Sequence, residues 1–355
     1  MSNDTLWYTR CPVPTAFSIA VREGWLDDEL TPDGLTVQSL AVSTDPAMRN
    51  AHFEQTAPNF FRHGGNIPPL VAASRGRPVR IIGLSITDGI EPILALPDSG
   101  IETVADLRGK RLAVPRRVHD PVDFWRASVL NGFRRALASA DIGEDEVEWI
   151  DIPVDRTYVG SASAEVDRRR MLWDAMFVLG HQREDASAMV RGEVDAMYAA
   201  GAIAATIQGF TGARSVIDVG PVGPLGQHPN NGTPLVLSVT ADLLDARPDI
   251  VARVVARVLE AGIWARQNVE VARRATAAEI GIAEELVERS MTPEFAAQLE
   301  IDLSPEKLAA LRAQLDFLDS NGFLAGPVDL DEIVVHEPLE AARELLERKA
   351  EATAA

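Results

Sequence analysis

The chain has 355 residues, with 34 Lys+Arg against 53 Asp+Glu and a formal charge of −19. Hydrophobic residues at 46% and charged residues at 25% exclude a disordered chain, and at roughly 150 residues per domain the length implies about two domains or lobes. The acidic balance excludes the electrostatic footprint of sequence-independent nucleic-acid binding and disfavours an anionic membrane surface, so an anionic ligand needs a local positive site.

A single cysteine, Cys11, can form neither an intrachain disulfide nor a multi-thiolate zinc site. The start MSNDTLWYTRCPVP has no basic opening, apolar stretch or small-residue cleavage site, which predicts a cytoplasmic protein. No apolar run approaches the roughly 18 residues of a membrane span.

In chain order, Thr5–Thr9 is β-prone, and Ala16–Val21 reads as a helix, with Pro12 and Pro14 before it and Gly24 after it. Leu35–Leu40 alternates as a strand, while Arg80–Ile86 and Ile93–Leu96 are short apolar runs suited to a covered sheet. A short helix at Val104–Arg108 precedes a strand at Gly109–Val114; a helix at Phe124–Ala138 precedes one at Val147–Ile152. Ala164–Arg191 reads as an amphipathic helix, a candidate lid, and its Arg168-Arg169-Arg170 run as a solvated face. Strands follow at Asp195–Tyr198 and Ser215–Val219. The Gly- and Pro-rich Pro221–Pro234 is a turn-rich loop or crossing strand, Leu235–Val239 is a final strand, and Ala241 to Lys349 is mostly helical.

This alternation predicts an α/β fold with mainly parallel strands. The order predicts two lobes: residues 1–92 with 232–355 as lobe I and residues 93–231 as lobe II, joined by two connections that permit a hinge. A ligand is expected in the central cleft between them.

Three stretches, Val104–Val114 (VADLRGKRLAV), Arg191–Ala196 (RGEVDA) and Leu235–Pro248 (LVLSVTADLLDARP), resemble the type 2 periplasmic-binding-protein fold, in its sulfonate-, nitrate- and thiamine-precursor-binding branch. Cys11-Pro12-Val13-Pro14, His52-Phe53 and Arg62–Leu70 (RHGGNIPPL) add a narrower resemblance to the aryl-sulfinate desulfinases of this fold. Thr211–Gly220 and Gly262–Arg266 extend it. The resemblance implies cleavage of the C–S bond of an aryl sulfinate, 2′-hydroxybiphenyl-2-sulfinate or a close analogue, with water. It also implies a functional cysteine, histidine, arginine and glycine at Cys11, His52, Arg62 and Gly65.

These residue types suit that chemistry. A sulfinate is a compact two-oxygen anion, and Arg62 offers a planar donor fork to it. Gly64 and Gly65 are expected to let backbone N–H groups approach the anion, with positive φ allowed. Cys11 is expected at a helix amino terminus, as a nucleophile on sulfur or a proton donor to the ring carbon, with His52 orienting or activating it. His63 is expected to support the site from behind. Arg10 either adds positive potential or points outward. Trp125 and Phe60-Phe61 are aromatic candidates for a ligand ring, with core packing the commoner role.

No HExxH, CxxC or phosphate loop occurs, and His119-Asp120 and His181 lack a ligand grouping, so neither metal nor other cofactor is expected. The alternative reading is a non-catalytic solute-binding protein for a sulfonate or similar anion. A thiamine-pyrimidine synthase of this fold is disfavoured by the single cysteine. Oligomeric state is not encoded legibly, and a monomer is compatible with the sequence.

Overall fold

A computed structural model describes residues 4–160, 179–220 and 224–354. Two five-stranded sheets organise it. The first has the order β2-β1-β3-β10-β4, from β1 (Thr5–Arg10), β2 (Thr36–Ser39), β3 (Phe60–Gly64), β4 (Val79–Ser85) and β10 (Leu235–Thr240). The second has the order β7-β6-β8-β5-β9, from β5 (Pro92–Ala95), β6 (Arg111–Arg117), β7 (Glu148–Val154), β8 (Ala196–Tyr198) and β9 (Arg214–Asp218). The chain passes between the sheets after β4 and again after β9.

Every residue of β3, β5, β8 and β10 is buried, so both faces of these central strands are covered. The expected predominance of parallel strands is corrected. Pairs β1–β2, β1–β3, β6–β7 and β6–β8 are parallel, whereas β3–β10, β4–β10, β5–β8 and β5–β9 are antiparallel. The antiparallel pairs all involve β5 or β10, the strands entered directly after a crossing, where the chain enters each sheet in the opposite sense.

Local chemistry sets the helices that carry the site. Thr15 caps Ala16–Arg22, its hydroxyl accepting from the Ser18 N–H. Asp45 caps Pro46–Glu54, where proline opens the helix and Gln55 at φ 55° ends it. Asp123 caps Phe124–Ala138 and also accepts the Arg117 N–H at 3.0 Å. The C-terminal part contains the helices Pro248–Gln267, Val269–Ile280, Pro305–Ser320 and Glu337–Ala354. Of the helix expected at Ala164–Arg191, Arg183–Val190 is helical; residues 164–178, with the three arginines, lie outside the described residues.

Residues packed around the two sheets meet across the cleft. Arg49 Nε donates to the Gly160 carbonyl at 3.1 Å, Arg75 Nη2 to the Pro121 carbonyl at 2.7 Å, and the His52 ring stacks on Tyr158 at 5.4 Å.

Candidate active site

Strand register assembles the wall of the cleft beside the first sheet. Thr9 of β1 lies beside Arg62 of β3, and Cys11 follows Thr9 by two residues, so Thr9, Cys11 and Arg62 address one face of the sheet. His52 comes to that face from the last turn of Pro46–Glu54. Thr9 Oγ1 is 3.0 Å from His52 Nδ1, and His52 Nε2 is 4.0 Å from Cys11 Sγ. Arg62 ties the group together: Nε donates to the His52 carbonyl at 3.2 Å, Nη1 to the Gly65 carbonyl at 2.7 Å, and Nη2 to Cys11 Sγ at 3.2 Å. Of its five N–H donors, one remains on each terminal nitrogen.

Burial, and secondarily the Arg62 charge, hold the His52 imidazole well below its ordinary 6.5. The ring is therefore neutral near neutral pH. When Nδ1–H donates to Thr9 Oγ1, Nε2 is the basic nitrogen facing the sulfur.

Cys11, His52, Arg62 and Gly65 line a cleft of about 940 Å³, part of it open to solvent. Gly64 does not line it, and neither glycine has positive φ. The positive φ allowed for them is therefore not used, and each glycine answers to space. A Cβ on Gly64 would sit 2.3 Å from Cys11 Sγ, and one on Gly65 would sit 2.4 Å from the Asn231 amide. Gly64 thus makes room for the thiol. Gly65 makes room for Asn231, whose Oδ1 accepts the Ile67 N–H at 3.0 Å.

Two other expectations change. Cys11 is not at a helix amino terminus, because Pro12, Val13 and Pro14 intervene before the Thr15 cap. The polar groups on its sulfur come from Arg62 and His52 instead. Arg10 does not point outward; it is buried in an ion pair with Glu279 at 3.0 Å, whose carboxylate offsets the positive potential expected of it. His63, one residue from Arg62, faces the opposite side of β3 toward Ser85 Oγ at 3.1 Å, while its carbonyl accepts the Cys11 N–H at 3.4 Å. Burial, with Arg62 and Lys307 adding to it, pushes the His63 imidazole down to about 3.

The elements around the second sheet supply an aromatic wall. Phe124, Trp125, Tyr158 and Tyr198 line the cleft, while Phe60 and Phe61 are core and do not. Tyr158 is held by its backbone N–H donating to Asp120 at 2.9 Å and by the Arg117 guanidinium 5.5 Å from its ring centre. Trp125 Nε1 donates to Asp185 at 2.7 Å, and burial, with Glu184 and Asp123 nearby, pushes that carboxyl up to about 7. His181 also lines the cleft, its ring 4.5 Å from Trp125, and burial with Arg117 and Arg156 pushes it down to about 3.

Thr9, Phe124, Tyr158, His181 and Tyr198 are site residues that the sequence reading missed as such. Thr9 was legible in principle, two positions before Cys11 on a strand. Tyr158 follows the end of β7 in a segment without periodicity. His119 is exposed and pairs with Asp155 at 2.8 Å, away from this wall. Among the described residues, no cluster of three His, Cys, Asp or Glu could hold a metal ion.

Two interlocked sheets with the cleft-lining residues between them are the type 2 periplasmic-binding-protein-like fold, and a thiol, imidazole and guanidinium stand on one wall of this cleft. The model of the NMT1/THI5-like family matches residues 65–176. The chain is similar to the 2′-hydroxybiphenyl-2-sulfinate desulfinases of Rhodococcus erythropolis and Rhodococcus qingshengii, at 29% identity over 93% of this chain and 91% of theirs. Its fold superposes on the desulfurization enzyme DSZB, solved as a cysteine-to-serine variant with biphenyl-2-sulfinic acid, at a TM-score of 0.75 with 28% identity over 97% of this chain and 99% of that one. The periplasmic aliphatic sulphonate binding protein SsuA of Escherichia coli shares the fold at a TM-score of 0.61 with 16% identity, over 94% of this chain and 93% of that one.

Proposed function

We propose that this protein is an aryl-sulfinate desulfinase, which converts an aryl sulfinate and water into the arene and hydrogen sulfite. The observation that carries the reading is Arg62 Nη2 at 3.2 Å and His52 Nε2 at 4.0 Å from Cys11 Sγ, at a cleft walled by aromatic side chains. Similarity to the desulfinases over nearly the whole chain supports it.

The substrate's aryl group packs against Trp125, Phe124 and Tyr158, and its sulfinate oxygens take the remaining N–H donors of Arg62. His52 Nε2 accepts the thiol proton, and Cys11 Sγ forms a bond to the sulfinate sulfur. The C–S bond breaks with its electron pair on the ring carbon, which takes a proton from His52 to give the arene. Water then attacks the sulfur of the Cys–S–SO₂⁻ adduct, returning the thiol and releasing hydrogen sulfite. Arg62 supports this course by donating to the sulfur that must act as nucleophile.

The test is incubation of the purified protein with 2′-hydroxybiphenyl-2-sulfinate, following sulfite and 2-hydroxybiphenyl together. Equimolar release supports the reading. Saturable binding with neither product identifies a solute-binding protein and refutes it.

A further inference from the structure

The residue preceding the thiol is a buried charge, and its partner lies far along the chain. Arg10 Nη1 meets Glu279 Oε2 at 3.0 Å, with side-chain exposures of 3% and 5%. The other Glu279 oxygen accepts the Ser18 hydroxyl at 2.9 Å. Ser18 Oγ is also 2.8 Å from Thr15 Oγ1, which accepts the Ser18 N–H at 3.0 Å. Arg10 stands immediately before the segment Cys11–Pro14 and Thr15 immediately after it. One carboxylate on the helix Val269–Ile280 therefore holds both ends of the segment that presents the thiol and lines the cleft with Cys11, Pro12, Val13 and Pro14. The residue after Glu279, Ile280, lines the same cleft.

A buried ion pair is seldom the most stabilising filling for such a position, since well-packed apolar residues often do as well or better. Burial pushes the Glu279 carboxyl up, and Arg10 and Ser18 oppose that shift. What the pair supplies is direction: fixed donor and acceptor geometry on either side of a short loop.

We propose that Glu279 is a positioning residue, which acts through Arg10, Ser18 and Thr15 to hold Cys11 Sγ against Arg62 and His52. The inference rests on the desulfinase reading for its kinetic consequence, though not for its structural one. Without the clamp the segment keeps its chemistry and loses its aim, so the loss falls on kcat and leaves binding by Arg62 and the aromatic wall intact.

The experiment compares wild type with Glu279→Gln, Arg10→Gln, Arg10→Lys and Ser18→Ala, measuring sulfite release, the rate of Cys11 alkylation by iodoacetamide, and folded fraction by circular dichroism. Glu279→Gln and Arg10→Gln are expected to lower kcat at least about tenfold with KM within about twofold, and to change the alkylation rate at least about threefold. Arg10→Lys, which keeps the charge pair, retains most of the activity. Ser18→Ala leaves no charge unpaired and gives a smaller loss in the same direction, so it decides the matter if the charge variants do not fold. Wild-type kcat and alkylation in folded Glu279→Gln or Ser18→Ala, or losses that only track the unfolded fraction, overturn the clamp. If wild type itself releases no sulfite, the desulfinase reading fails, while the alkylation rates still decide whether Glu279 positions the thiol.

Discussion

Gly64→Ala would place a Cβ 2.3 Å from Cys11 Sγ and 2.8 Å from its Cβ, about 1 Å short of ordinary contact. The backbone at Gly64 is poorly placed to yield, because β3 lies between β1 and β10 and Gly64 pairs opposite Val236. Its φ is not in the left-handed region, so alanine carries no backbone strain there and the effect is steric. The thiol must move instead, away from contacts of 3.2 Å to Arg62 and 4.0 Å to His52. A displacement of about 1 Å in a reacting group is worth roughly 100-fold in rate, or about 2.7 kcal/mol in the barrier. Overpacking should also cost about 1–3 kcal/mol of folding stability. The assay is sulfite release at saturating substrate beside thermal unfolding, with Gly209→Ala as the control because a Cβ there meets nothing within 4 Å. A folded Gly64→Ala protein with kcat within about twofold of wild type would refute the reasoning, since chemistry through Cys11 would then not depend on where its sulfur sits.

Arg62→Lys should lower kcat/KM by about 100-fold or more, because one ammonium cannot reproduce the three bonds to His52, Gly65 and Cys11 together with two free donors; steady-state kinetics checks this, and a loss under about threefold contradicts it. The His52 imidazole is held below 6.5, so its basic form persists as pH falls past 6.5 and disappears only at the lower folded value. A pH profile of kcat/KM should accordingly show no acid limb centred near 6.5. Trp125→Phe strands the Asp185 oxygen that accepts the indole N–H at 2.7 Å, which should cost about 1–3 kcal/mol in urea unfolding.

The sheet strands with unbroken apolar runs were legible within a residue or two. Arg80–Ile86 became Val79–Ser85, and Leu235–Val239 became Leu235–Thr240. The strand Phe60–Gly64 was not, although it is buried throughout and central to its sheet. Its Arg62, His63 and Gly64 interrupt the apolar pattern for chemical reasons, so the element carrying the site is the one that periodicity hides. The convergence of Cys11, His52 and Arg62 was suggested only by resemblance, because register between β1 and β3 is a long-range pairing with no local signature. Gly64 shows the same limit: its sequence neighbours suggest a turn or an anion cradle, while the constraint comes from a sulfur 53 positions earlier in the chain. Arg10 beside the thiol read as added positive potential or an outward-pointing charge because Glu279, its partner, is contributed by a helix near the other end of the sequence.

The most direct measurement is a single-turnover comparison of wild type and Cys11→Ser, each loaded with 2′-hydroxybiphenyl-2-sulfinate and then quenched, with bound sulfinate and free sulfite both quantified. The account predicts that the serine variant retains the sulfinate intact while wild type yields one sulfite and one arene per site. Sulfite formed at the wild-type rate by Cys11→Ser, or none formed by either protein, would contradict it.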